Sequence, residues 1–215
     1  MSTQPEVSMN MAVRNLARVL LAPVFWLGFR LRCRGTENIP PSGAVLFVAN
    51  HISMWDPPMI GFVIAPRRRM FFMAKRELFA NPIAAKVFRA GGAFPVERGG
   101  VDREAIRAAR DILGRGEALL MFPEGTRYRN GELGPAMPGA GAFGLADDVQ
   151  VIPVAISGSN RRFGPASITI GGRLDLSDIT TGSRAERSQI AADRMMGAIA
   201  ALLERDRQRR NVVSA

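Results

Sequence analysis

Short apolar runs alternate with helix-like stretches along most of the chain. Apolar runs of strand length lie at 43–49, 69–74, 93–96, 117–122, 151–156 and 167–171. Helical periodicity or helix-end signals predict helices at 82–90, 102–113, 139–146 and 183–209. This alternation predicts an α/β fold for residues 35–215, as a single domain with a mostly parallel central sheet flanked by helices.

The N-terminal pattern differs from the rest of the chain. Residues 19–29 are uninterruptedly apolar, fewer than the ~20 needed to span a bilayer, and Pro23 is expected to kink a helix there. Arginines follow at once, without the small-residue pattern of a signal-peptide cleavage site. We expect residues 1–34 to form a helix in the membrane interface, placing the protein on the cytoplasmic face of the membrane as a peripheral or monotopic protein. The alternative is a helix packed onto the domain.

Charge is distributed unevenly. The chain has 29 basic and 19 acidic residues, and the basic excess lies in 14–34 and 67–98, among large apolar side chains. This mixture predicts an anionic partner, and a phospholipid surface fits it well. Single-stranded nucleic acid could bind the same mixture of side chains through base stacking. We expect a membrane as the partner and no nucleic acid.

Histidine and cysteine are each present once, which limits the possible chemistry. His51 and Cys33 together exclude every His/Cys zinc cluster, and a single cysteine excludes an intrachain disulfide. We expect no metal and no cofactor. Cys33 is expected to be inert, although the flanking arginines could lower the pKa of its thiol.

The first chemical candidate is the pair His51 and Asp56, between a predicted strand and a predicted helix. Asp56-Pro57-Pro58 is typical of a helix start, with aspartate at the N-cap. A turn can also fold the carboxylate back onto the imidazole, fix its tautomer and leave Nε2 free as a general base. The alternative is that Asp56 only caps the helix.

The second candidate is the segment 122–127, which also follows a predicted buried strand. Gly125 allows close approach of the backbone to a ligand. Thr126 offers a hydroxyl, and Arg127 offers a planar fork that suits phosphate. The alternative is a solvated turn in which arginine and glutamate form a surface pair.

Together these segments resemble the glycerolipid acyltransferase family, of which lysophosphatidic acid acyltransferases are typical members. The resemblance covers residues 35–158 and several ordered blocks: 50–57, 74–78, 92–98, 122–127 and 151–156. It implies transfer of an acyl chain from acyl-CoA or acyl carrier protein to the free hydroxyl of lysophosphatidic acid, with the donor as co-substrate. Another lysolipid acceptor, such as lyso-ornithine lipid, stays open.

The resemblance also implies roles for individual residues. His51 would act as the base, oriented by Asp56. Arg98 and Arg127 would hold the acceptor's phosphate. The remaining substrate-binding residues would be Lys75, Glu124, Gly125 and Thr126. Two rival functions remain: a non-enzymatic basic protein that binds lipid, and a hydrolase in which His51 activates water.

Overall fold

The computed structural model describes residues 9–97, 100 and 102–214, with side chains up to residue 211. Its helices are α1 (Met11–Pro23), α2 (Asp56–Ile64), α3 (Pro82–Ala90), α4 (Arg103–Gly114), α5 (Pro138–Gly144) and α6 (Arg184–Ser214). Its strands are β1 (Arg32–Arg34), β2 (Val45–Ala49), β3 (Met70–Lys75), β4 (Ala93–Val96), β5 (Ala118–Met121), β6 (Gln150–Ser157) and β7 (Ser167–Ile170). A π-helical turn, Val24–Gly28, continues α1, and short 3-10 turns lie at Thr36–Asn38 and Arg76–Phe79.

The strands form one seven-stranded sheet in the order β1-β7-β6-β2-β5-β3-β4. All neighbouring strands are parallel except β6 and β7. The predicted α/β fold with a mostly parallel sheet is therefore confirmed. Pro95 lies in β4 at the edge of the sheet, where its missing N–H costs no ladder hydrogen bond.

The sheet is covered on both faces, and each face has its own hydrophobic core. Alternate residues of β2 face opposite sides, with Phe47 in the core beneath α2 and the end of the N-terminal helix. Leu46 lies in the other core, with α4, α5 and α6. Because β2 is buried on both faces, its sequence is a continuous apolar run, which is typical of a central parallel strand.

The N-terminal helix is longer than its apolar run. With its π-helical turn it covers Met11–Gly28, with a mean hydropathy of 1.2, which is long and apolar enough to cross a membrane by length and composition alone. Pro23 lies where the α-helix becomes π-helical, so the predicted irregularity is present. Residues 32–34, at the end of the predicted N-terminal segment, pair with β7 as part of the sheet.

Candidate active site

The sole histidine lies just beyond the carboxyl end of β2, with its side chain nearly buried. Its Nδ1 is 2.8 Å from Oδ2 of Asp56. A carboxylate can only accept a hydrogen bond, so neutral His51 carries its proton on Nδ1 and its lone pair on Nε2. The ring also stacks on Phe122, with centroids 4.0 Å apart, which fixes its plane. The predicted fold-back of Asp56 onto His51 is present.

Asp56 is fully buried and makes four hydrogen bonds. Its Oδ2 also accepts the N–H groups of Ile52 and Ser53, each at 2.7 Å. Its Oδ1 accepts the hydroxyl of Ser159 at 2.5 Å. The prediction that Asp56 is the N-cap of α2 is wrong, since Trp55 takes that position and Asp56 is the first helical residue. The carboxylate instead turns back towards its preceding loop, because that loop presents N–H donors.

The segment after β5 is tied to the histidine through Glu124. This buried carboxylate accepts the backbone N–H of His51 at 2.7 Å and that of Gly134 at 2.9 Å. Burial raises the pKa of Glu124, and the two N–H bonds oppose that shift. Tyr128 donates its N–H to the carbonyl of His51 at 2.8 Å. Glu124 is therefore placed to shape the loop and does not line the cavity described next.

A cavity of about 710 Å³ opens beside the imidazole. Most of its wall is apolar, supplied by α2, α3, β3, β5 and the 3-10 turn after β3 through Phe62, Met70, Phe72, Leu78, Phe88 and Leu120. His51, Lys75, Gly125 and Arg127 also line it. A base on the wall of such a cavity can take a proton from a hydroxyl whose apolar portion fills the rest.

The other predicted substrate residues are placed differently from one another. Gly125 has a positive φ of 66°, which favours glycine at this turn. Thr126 is exposed and does not line the cavity. Lys75 forms an ion pair with Glu77, 3.0 Å from Nζ to Oε1, so its charge is partly compensated. Arg98 lies outside the described residues.

The N-terminal helix closes one side of the cavity. Arg14, Ala17, Arg18 and Leu21 line the cavity wall. Burial lowers the pKa of Arg14, and the nearby charges of Arg18 and Arg69 lower it further. The helix thus presents its cationic side chains inward and a set of exposed apolar residues outward: Leu16, Val19, Leu20 and Leu27.

Cysteine and metal chemistry receive no support from the described part of the chain. Burial raises the pKa of the Cys33 thiol to about 11, contrary to the lowering that nearby arginines could cause. No group of three or more His, Cys, Asp or Glu side chains there could hold a metal ion.

Sequence reasoning missed Ser159 and the structural role of Asn50. The side chain of Asn50 pairs with both backbone groups of Ile156, at 2.9 Å each, and joins the end of β2 to β6. Ser159 follows β6 and reaches Asp56 across 103 residues of chain. Neither residue has a local signal, because each acts on a segment remote in sequence. Only the neighbouring position of β2 and β6 reveals them.

Comparison with known proteins gives concordant results. A family model described as Acyltransferase matches residues 30–157. The crystal structure of the 1-acyl-sn-glycerophosphate (LPA) acyltransferase PlsC from Thermotoga maritima has a similar fold, with a TM-score of 0.64 and 22% identity. That match covers 89% of this chain and 78% of the Thermotoga chain.

Two relatives with assigned activities each match about two thirds of the chain. The 1-acyl-sn-glycerol-3-phosphate acyltransferase of Streptococcus pneumoniae is 33% identical over 151 residues, 67% of this chain and 55% of that protein. The lyso-ornithine lipid O-acyltransferase of Pseudomonas aeruginosa is 36% identical over 143 residues, 66% of this chain and 51% of that protein. The chain thus spans about half the length of the curated relatives it matches.

Proposed function

Because the chain belongs to the acyltransferase family, we propose that it transfers a fatty acyl chain from acyl-CoA or acyl carrier protein to lysophosphatidic acid, forming phosphatidic acid. One observation carries this proposal: His51, held by the buried Asp56, lies on the wall of an apolar cavity that Arg127 also lines. The site therefore combines a base, room for an acyl chain and a cation for phosphate.

The reaction requires activation of an alcohol. Nε2 of His51 takes the proton of the acceptor hydroxyl as its oxygen attacks the thioester carbonyl. The new C–O bond forms, the C–S bond breaks, and the imidazolium returns the proton to the departing thiolate. Asp56 stabilises the transient positive charge on His51. Such a base contributes about 10²–10⁴ in rate, and no enzyme-bound acyl intermediate is needed.

Positioning of the acceptor falls to the cationic groups. Arg127 would bind the phosphate of lysophosphatidic acid through its planar guanidinium group. Arg98, at the end of segment 92–98, would bind the same phosphate. Lys75 lines the same cavity and adds positive charge. Gly125 would contact the acceptor inside the cavity, and the exposed Thr126 would contact the part of the acceptor outside it, while Glu124 keeps that turn attached to His51. Fixing the phosphate holds the hydroxyl within reach of Nε2.

The outer face of the N-terminal helix supports membrane association. Val19, Leu20 and Leu27 are each about two thirds or more exposed. A spanning orientation would bring Arg14 and Arg18 into the hydrocarbon layer, which is costly. We therefore assign α1 and its π-helical turn to the interface of the cytoplasmic leaflet, with the apolar side chains buried among acyl chains. The partners are then the phospholipid membrane, the lysophospholipid and the thioester donor.

A second acceptor is favoured by one relative. The Pseudomonas protein, at 36% identity, is named for lyso-ornithine lipid, whose ornithine head group carries no phosphate. Arg127 favours lysophosphatidic acid, because a phosphate is anionic, whereas the ornithine head group pairs its carboxylate with an ammonium group that the guanidinium repels.

The test is an acceptor panel with one acyl-CoA and identification of each product by mass. We expect lysophosphatidic acid to be the preferred acceptor, and Arg127→Ala to raise its KM by about tenfold or more. Lys86→Ala, on the exposed side of α3, is the matched control and should leave KM unchanged. Preference for lyso-ornithine lipid over lysophosphatidic acid in this panel would assign the second function. Thiol release that needs no acceptor would indicate a hydrolase.

A further inference from the structure

The loop after β6 reaches the surface with a basic and aromatic tip. Arg161, Arg162 and Phe163 are all exposed, and Phe163 is 62% accessible. Among the residues that the structure describes, neither arginine is paired with a carboxylate. An exposed aromatic ring beside two uncompensated guanidinium groups is the composition that binds an anionic lipid interface.

The tip is joined to the end of the N-terminal helix. The ring of Phe163 lies 5.7 Å from that of Phe29, which in turn lies 5.6 Å from the ring of Trp55. Gly164 donates its N–H to the carbonyl of Gly28 at 3.1 Å. Three segments remote in sequence therefore meet at one place: the end of the N-terminal helix, the turn after His51, and this loop.

The exposed apolar side chains at this meeting point form a rim, which consists of Trp26, Leu27, Met54, Trp55 and Phe163. Met54 and Trp55 belong to the turn between His51 and Asp56. The apolar rim thus continues the outward apolar face of α1 and extends it to the turn that carries the catalytic pair.

We propose that loop 160–164 is a second membrane-binding element, in which Phe163 inserts below the head groups and Arg161 and Arg162 bind lipid phosphates. The occupant is an anionic phospholipid surface, as charge complementarity and continuity with α1 indicate. The proposal rests on the proposed function, since that surface supplies the lysolipid. Two anchors, from segments remote in sequence, fix the orientation of the protein, so that the turn bearing His51 faces the lipid.

Vesicle binding by the whole 215-residue chain tests the proposal. The probes are phosphatidylcholine vesicles with and without phosphatidylglycerol, at low and high salt. Arg161→Ala/Arg162→Ala should weaken binding to the anionic vesicles by about fivefold per arginine, with loss of the salt dependence that those charges contribute. Phe163→Ser should weaken binding to both compositions by about tenfold. The control is Arg103→Ala/Arg107→Ala on α4, against the opposite core, which should change binding little.

A second measurement locates the ring directly and does not depend on affinity. In a Trp26→Phe/Trp55→Phe background, which removes both native tryptophans, Phe163→Trp supplies a single fluorophore. Lipids with brominated acyl chains should quench it when vesicles are added. Vesicle-bound protein with an unquenched fluorophore at residue 163 would overturn the proposal, as would loop variants that bind like the native protein.

Failure of this proposal can be separated from failure of the proposed function. Acyl transfer to a short-chain, water-soluble lysophosphatidic acid needs no bilayer, so the loop variants should retain native kcat on that acceptor. Native binding and native catalysis in the loop variants would refute the second anchor only. Absence of acyl transfer in the native protein would refute the function and leave the vesicle result unaffected.

Discussion

At the scale of single residues, the imidazole of His51 is held by contacts from several parts of the chain. Asp56 holds Nδ1, Glu124 accepts the N–H of His51, and the ring rests on Phe122. Asp56 also accepts the N–H groups of Ile52 and Ser53 and the hydroxyl of Ser159. With its carboxylate oxygens satisfied, Asp56 keeps one orientation, and His51 presents Nε2 in one direction.

Ser159 gives a prediction at this scale. Ser159→Ala leaves Oδ1 of buried Asp56 without its hydrogen-bond partner. An unsatisfied buried acceptor lowers the free energy of unfolding by about 1–3 kcal/mol and allows the carboxylate to reorient. We expect kcat to fall about ten- to a hundredfold with little change in either KM, because Ser159 does not line the substrate cavity. Ser159→Thr keeps the hydroxyl and should restore most of kcat.

Steady-state kinetics of both variants give kcat and the two KM values, and circular dichroism checks that the variants fold. Native kcat in Ser159→Ala, or equal losses in the alanine and threonine variants, would show that the hydroxyl does not position Asp56. Ser177→Ala, at an exposed turn that does not line the cavity, is the matched control.

At the scale of elements, the sequence predicts the positions of most helices and strands. Apolar runs with turn residues at each end define the buried strands, and Ser183 with Glu186 forms the predicted reciprocal cap at the start of α6. The start of α2 is the exception, because an aspartate before Pro-Pro has the same local signal whether it caps the helix or bonds a remote histidine. The extent of α1 is another, since arginines inside it interrupt the apolar run.

The outward face of α1 gives a prediction at this scale. Leu16→Ser/Leu20→Ser removes exposed apolar surface without changing a core residue. Each lost leucine reduces the favourable free energy of insertion into the membrane interface by about 1.5–3 kcal/mol. We expect binding to anionic vesicles to weaken by at least about a hundredfold. Deleting residues 1–30 should also weaken sedimentation with vesicles, but it removes Phe25 and Phe29 from the core as well.

Cosedimentation with phosphatidylglycerol-containing vesicles provides the measurement. Ile190→Ser, an exposed apolar residue of α6, serves as the control and should bind normally. Undiminished binding by the double variant would mean that α1 is a helix packed on the domain, without a role at the membrane.

At the scale of the whole molecule, the candidate site forms where parallel strands end together. Parallel β2 and β5 are neighbours, so the segments that follow them, with His51 and Glu124, meet at one edge of the sheet. This is the usual location of ligand sites in open α/β sheets. The sequence predicts parallel strands but not their order, because apolar runs do not specify which strand pairs with which. The link from Ser159 to Asp56 and the cavity beneath α1 therefore needed the structure.

Acceptor-dependent acyl transfer by native protein and by His51→Ala tests the central claim most directly. With acyl-CoA and lysophosphatidic acid, the native protein should release thiol in step with formation of phosphatidic acid, identified by mass. His51→Ala should fold and bind vesicles normally but lose about 10²–10⁴ in turnover, because it has no group to take the hydroxyl proton. Near-native turnover by folded His51→Ala would contradict the account.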